Sequence, residues 1–216
     1  GIDQRSPARH PDWLGPDDLA LKIEEIREAT NWDIPIQLDK GTIHFLVAHP
    51  TPPVFDGNED RNGCRNHDEI RMLADYVNPK QSHYLVDDQG KSGGLKQGDL
   101  FVIAGDMNAD PHDGDGLQQA VQQLTKHPLI HRNIVPTSLG GQQAAAQGRA
   151  NQQHAGKPAH DTADFPDNLP GNLRVDYVLP SKTLQPLAAG VFWPSSERLK
   201  ARLLKASDHR LVWLDV

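Results

Sequence analysis

The sequence predicts a layered α/β (α+β) fold, and three observations carry that expectation. Short apolar runs of strand length occur at 43–48, 100–104, 173–179 and 187–193. Helix-periodic segments lie between or before them at 19–29, 67–77 and 116–126, and polar residues cluster where several of the runs end. Strands alternating with amphipathic helices bury their apolar faces by stacking in layers.

The elements follow in chain order. Turn formers Pro7, Pro11, Gly15 and Pro16 precede Asp17-Asp18 and a capped amphipathic helix over Leu19 to Ala29, with Leu19, Ile23 and Ile26 at helical spacing. Ile34 and Ile36 alternate with Pro35 and Gln37 before an Asp39-Lys40-Gly41 turn. The run Ile43 to Ala48 then completes a predicted hairpin, with His49 at its end. Thr51 to Asn66 is rich in Pro, Gly, Asn and Asp, which reads as a surface loop with Asn66 capping a helix from His67 to about Val77. Leu100 to Ala104, bounded by Asp99 and Gly105, has the pattern of a strand buried on both faces. A helix is expected over Gly116 to Lys126, with Leu117, Val121 and Leu124 inward. The Gln, Ala, Gly, His and Asp tract from Gly140 to Gly171 has little to bury and reads as a long flexible loop. Strands at Leu173 to Leu179, Leu187 to Trp193 and Arg210 to Val216 complete the pattern, and the whole of 1–216 reads as one domain.

Composition narrows the function. The hydrophobic content of 37% is at the low end for a chain of 216 residues with a full core, leaving room for polar loops. A net charge of -7 argues against a strong nucleic-acid surface, because such binders present a basic face. A small phosphorylated substrate, or a metal bridging acid to phosphate, is compatible with it. The single Cys64 has no partner for a disulfide or a thiolate zinc site. No run approaches the roughly 18 apolar residues that span a bilayer. His127, His131, His154 and His160 lack compact ligand spacing and read as solvated surface. Trp13, Trp32, Trp193 and Trp213 sit in apolar contexts and read as core.

Chemistry concentrates at three strand ends: Gly105-Asp106-Met107-Asn108, Arg174-Val175-Asp176-Tyr177 and Ser207-Asp208-His209. Each alone is compatible with a turn. Together they supply what phosphoryl chemistry needs: a cation-holding carboxylate, a base for water, and donors for charged oxygens. Arg61, Arg65, Asn66, His67 and Arg71 form a further set beside this edge. Either the arginines fork onto phosphate, or they are exposed and Glu69 pairs with a neighbour on the helix.

In this order, with His49 first and Arg174-Val175-Asp176-Tyr177-Val178-Leu179-Pro180-Ser181 third, the motifs resemble the endonuclease/exonuclease/phosphatase (DNase I-like) superfamily. The stretch His49-Pro50-Thr51-Pro52-Pro53, with Arg61-Asn62-Gly63 and Asn66-His67-Asp68-Glu69-Ile70-Arg71, resembles a bacterial, often exported branch of it. The resemblance implies a four-layered sandwich of two sheets flanked by helices, and hydrolysis of a phosphate ester by in-line attack of water. It implies Mg²⁺, with Mn²⁺ or Ca²⁺ as alternatives, and a phosphorylated substrate. Residue by residue, it implies that Asp106 orients or deprotonates the water, and that Asn108 holds that water or a phosphate oxygen. His209 would donate to a phosphate oxygen and His49 to the phosphate or the leaving group, Asp176 would fix the His209 tautomer, and Asp208 would help hold the metal. Arg61, Arg65 and Asn66 are the candidate substrate contacts. The family's leading Asn and its metal-binding Glu have no counterpart here, since Glu24, Glu25 and Glu28 read as a solvated helix face. The chain is therefore expected to be the C-terminal part of such a domain, lacking its N-terminal strands. A sandwich used as a binding module is the second class to weigh.

Overall fold

A computed structural model describes residues 33–38, 41–117, 119–196, 204 and 207–216, with side chains from 41 onward. The predicted helix at 19–29, with Glu24, Glu25 and Glu28, lies outside the described residues, as do Trp13 and Trp32.

The hairpin forms as its alternation suggests. Strand β1 (Asp33–Leu38) runs antiparallel to β2 (Gly41–Val47), with Ile36 opposite Ile43. The chain then crosses over through helix α1 (Arg61–Tyr76) to β3 (Leu100–Asp106), which lies parallel to β2. A parallel neighbour requires such a crossover, because a tight turn can only reverse the chain. Strand β6 (Asp176–Pro180) packs antiparallel on the other side of β3, completing a four-stranded sheet in the order β1-β2-β3-β6. Phe101, Val102 and Ile103 of β3 are all buried, as expected for an inner strand with both faces covered. Ile70, Leu73 and Ala74 of α1 pack with Leu46, Phe101, Ile103, Tyr177 and Leu179 into the main core.

The remaining elements are short. Helix α2 (Gln122–Thr125) precedes α3 (Leu139–Ala144), and the two-residue strands β4 (Ala163–Asp164) and β5 (Asn172–Leu173) pair antiparallel. Strands β7 (Ala188–Phe192) and β8 (Leu211–Asp215) form another two-stranded sheet. The fold is mixed α/β. Among the described residues there is one four-stranded sheet and two two-stranded ones, not the two large sheets of a four-layered sandwich.

Several expectations are corrected. Helix α1 begins at Arg61, so Asn66 lies inside it and caps nothing. Residues 61–65 contain no large apolar side chain, so periodicity could not mark the first turn. The helix expected over 116–126 shrinks to one turn, although Val121 and Leu124 are buried as predicted. The tract 140–171 is built of α3, three single-turn 3-10 helices and β4, held largely by backbone and polar side-chain hydrogen bonds that apolar periodicity does not register. The expected strand at 173–179 is two strands, because the chain changes pairing partner between Leu173 and Asp176. Trp193 is core but Trp213 is 41% exposed, and His127 is buried, its pKa lowered by desolvation.

Candidate active site

Register brings the acids together. Asp106 closes β3 and Asp176 opens β6, and because these strands are antiparallel the two residues are direct partners. Strand β2 runs parallel to β3 and ends on the same side, with the Ala48 amide donating to the Ala104 carbonyl, so His49 emerges beside Asp106. This close approach requires Gly105, which has φ 144° and where a Cβ would collide with the Ala48 carbonyl. His209 arrives from the far end of the chain through a bridge to Ala163.

The His209 Nδ1 lies 3.1 and 3.0 Å from the two carboxylate oxygens of Asp176. Its Nε2 lies 3.9 Å from Asp106 Oδ2, and His49 Nε2 lies 3.4 Å from the same oxygen. The other oxygen, Asp106 Oδ1, accepts the Asn108 amide at 2.8 Å. Phe165 meets the His209 ring edge-to-face, with centroids 5.5 Å apart. Two carboxylates and two imidazoles thus share one edge of the sheet.

Burial and charge set their protonation. The Asp106 carboxyl is pushed above its ordinary value mainly by burial, with the nearby Asp176 charge adding to it, and the Asn108 amide opposing it. The hydrogen bond to Asp176 raises the His209 imidazole pKa against the opposing effect of burial. The site therefore pairs a carboxyl made more basic with an imidazole that holds its proton more firmly, a division suited to moving one proton and donating another.

Other expected site residues separate into three groups. Asn108 sits at φ 49°, a left-handed conformation that asparagine tolerates, and its side-chain amide donates to the Pro50 carbonyl at 3.0 Å. It ties the His49 loop to the Asp106 loop. Asn66 is fully buried, and its amide donates to Thr51 O and Met107 O, both at 2.9 Å. Both hydrogens of its side-chain amide are thus spent on backbone, in place of the substrate contact expected of it. Arg61 and Arg65 are exposed on α1, and Arg65 Nη2 pairs with Glu69 at 3.2 Å while Glu69 also accepts from Thr51. They line an open depression of about 590 Å³ with Cys64 and Met72, a depression that Asp106, Asp176 and His209 do not line.

The donor set suits a divalent cation in part. Among the described residues, Asp106, Asp176 and His209 form a group whose ligand atoms lie within 4.8 Å of one another. Hard carboxylate oxygens match Mg²⁺ or Mn²⁺, whereas an imidazole is a preferred ligand of neither, which leaves the two carboxylates as the better-matched donors. Asp208 is exposed and stands outside that group; its backbone carbonyl accepts the Asp164 amide at 2.8 Å.

Sequence reasoning missed the supports behind His209. Arg210 is 7% exposed, pairs with Asp164 at 3.0 Å, donates to the Ser207 carbonyl at 2.6 Å, and sits 4.6 Å over the Trp193 ring. It fixes the turn that carries Asp208 and His209. A buried arginine beside an Asp-His pair leaves no periodic signal, because its side-chain partners Asp164 and Trp193 are distant in sequence.

The model of the Endonuclease/Exonuclease/phosphatase family matches residues 11–209. Among solved structures, a beta toxin from Staphylococcus aureus shares 11% identity and a TM-score of 0.49, covering 85% of this chain and 55% of that one. An endonuclease/exonuclease/phosphatase family protein from Leptotrichia buccalis shares 16% identity at TM-score 0.47, covering 85% and 51%. A sphingomyelinase C from Streptomyces griseocarneus shares 10% at TM-score 0.47, covering 85% and 52%. The chain thus spans about half the length of these structures. A glutamate synthase large subunit-like protein of Rhizobium meliloti is 63% identical over 41 residues, 19% of this chain and 9% of that protein.

Proposed function

The chain belongs to the endonuclease/exonuclease/phosphatase family, a family of metal-dependent phosphoester hydrolases, and on that premise we propose that it carries the water-activating edge of a phosphoesterase site. The observation that supports this most is the meeting of Asp106, Asp176 and His209 within 4.8 Å, drawn from three separate strand ends. Asp106, made more basic by burial, orients the attacking water and accepts its proton. Asp176 holds Nδ1 of His209, leaving Nε2 to donate to a non-bridging phosphate oxygen as charge builds there. His49, with its side chain 71% exposed, reaches the same space from β2 as a second donor. Asn108 positions the water or an oxygen of the phosphate.

A Mg²⁺ or Mn²⁺ ion, with Ca²⁺ as the weaker alternative, would supply charge neutralisation at the phosphate. The exposed Asp208 carboxylate is the proposed ligand, with substrate oxygens and water completing the shell. Arg61 and Arg65 are the proposed outer contacts of a phosphorylated substrate. The net charge of -7 favours a small substrate over long nucleic acid. Among the described residues no helix is long and apolar enough to cross a membrane, and the resemblance to an exported bacterial branch supports an extracytoplasmic location.

The test is hydrolysis of bis(p-nitrophenyl) phosphate and p-nitrophenyl phosphate with Mn²⁺ or Mg²⁺, alongside calorimetric titration of each metal. Turnover should require the metal and fall by about 10²–10⁴ in Asp106→Asn. Turnover that survives chelation, or an Asp106→Asn variant as active as the parent, would overturn the reading.

A further inference from the structure

We propose that Thr162 is a positioning residue that sets Asp176 in register with His209. The proposal deepens the reading of the site given above and rests on it for its catalytic consequence.

Thr162 stands just before β4, is 1% exposed, and makes four hydrogen bonds to two segments, 173–176 and the turn at Arg210. Its Oγ1 accepts the backbone amides of Val175 at 3.0 Å and Asp176 at 2.9 Å. Its own amide donates to the Leu173 carbonyl at 2.9 Å, and its carbonyl accepts the Arg210 amide at 2.7 Å. The next residue, Ala163, bridges to His209, and the Asp164 amide donates to the Asp208 carbonyl.

The need for this hydroxyl follows from the topology. Leu173 pairs with β4 and Asp176 pairs with β3, so the chain changes partner across two residues, and two consecutive amides point to the same side with no strand to receive them. Buried amides must be satisfied. One hydroxyl oxygen carries two lone pairs and can accept both, and β-branching narrows its χ1 freedom. The same residue's backbone is tied to the His209 turn through Arg210. Thr162 therefore joins the segment that carries Asp176 to the segment that carries His209, and their side chains meet 3.0 Å apart as the result.

The test compares Thr162→Val, which keeps shape and removes the acceptor, with Thr162→Ser, which keeps the acceptor. Three readouts are taken on the full chain: amide exchange at 175 and 176, the NMR signature of the His209 ring nitrogens hydrogen-bonded to Asp176, and kcat against KM for the p-nitrophenyl esters. The Val variant should lose amide protection and the ring signature, and its kcat should fall about 10-fold or more with KM within roughly threefold, the sign of lost orientation. Serine should restore all three. Leu173→Ala, a destabilising change in the neighbouring core, should leave the ring signature in place. Should the Val variant not fold, Thr162→Cys, whose sulfur is a weak acceptor, should show the same losses at smaller size. A Val or Cys variant with the parent's signature and kcat would overturn the proposal, as would a Ser variant that fails like Val. If the parent turns over no phosphoester, the catalytic reading falls while the exchange and NMR results still decide the role of Thr162.

Discussion

His209 and Asp176 are separated by 33 residues in sequence and joined by two contacts of 3.0 and 3.1 Å between Nδ1 and the carboxylate oxygens. The geometry fixes the tautomer of the neutral ring with its proton on Nδ1 and stabilises the doubly protonated form. Replacing Asp176 by Asn removes the charge that raises the His209 pKa, so the imidazole should titrate at lower pH. An imidazolium donor is lost as pH rises, and the alkaline limb of the rate profile should move down with it. NMR titration of His209 beside a pH–rate profile checks both; an unmoved titration would show that the pair contributes nothing.

Asp106 acts, on the same reading, in its ionised form, and burial raises its pKa above the ordinary value of 3.8. The acid limb of the profile should therefore lie above that value. Asp106→Asn should lower kcat by about 10²–10⁴, the scale of a deleted general base. Initial rates from pH 4 to 9 test it.

Asp161 gives a pH dependence of stability in the opposite sense to an ordinary salt-bridged acid. It is 7% exposed, and burial with the nearby Asp110 and Asp113 pushes its pKa to about 8 from 3.8. The folded protein therefore binds a proton that the unfolded chain has released between these values. Stability from this group is full below the unfolded pKa and falls as pH rises toward the folded one, by about 1.4 kcal/mol per pH unit at most. Asp161→Asn should flatten that slope and leave the variant more stable than the parent at pH 8. Urea denaturation at pH 5 and pH 8 measures it.

Asn66 holds two backbone carbonyls, Thr51 and Met107, and so fixes the loops carrying His49 and Asn108. Asn66→Ala should cost about 1–3 kcal/mol, the range for breaking buried hydrogen bonds, measurable by denaturant midpoint. At a temperature where the variant is folded, KM should hold, since the side chain is buried away from substrate.

Arg65 differs in kind. Its pair with Glu69 is exposed on a helix surface, worth about 0.5 kcal/mol or less, so Arg65→Ala should leave the melting temperature nearly unchanged. On the proposed reading KM for a phosphorylated substrate should rise while kcat holds. Unchanged KM would assign this arginine to the solvated surface alone.

Much of the local structure is written in the sequence itself. The alternation at 34–36, the apolar run at 100–104 and the Gly-Asp-Met-Asn and Ser-Asp-His motifs each depend on neighbours in the chain, so their residue types suffice to mark strand, strand end and candidate chemistry. The first turn of α1 escaped because residues 61–65 bury no large apolar side chain, and periodicity reports burial rather than hydrogen bonding. What only the tertiary structure decided is who meets whom. The antiparallel register of β3 and β6 sets Asp106 opposite Asp176, and a one-residue slip would turn one of them to the other face. Asn66, Thr162 and Arg210 act through Thr51, Asp176 and Asp164, which lie 15, 14 and 46 residues away, by hydrogen bonds and ion pairs that leave no pattern along the chain. Sequence alone determined which residues could do chemistry; strand pairing and buried polar contacts decided which of them share a site.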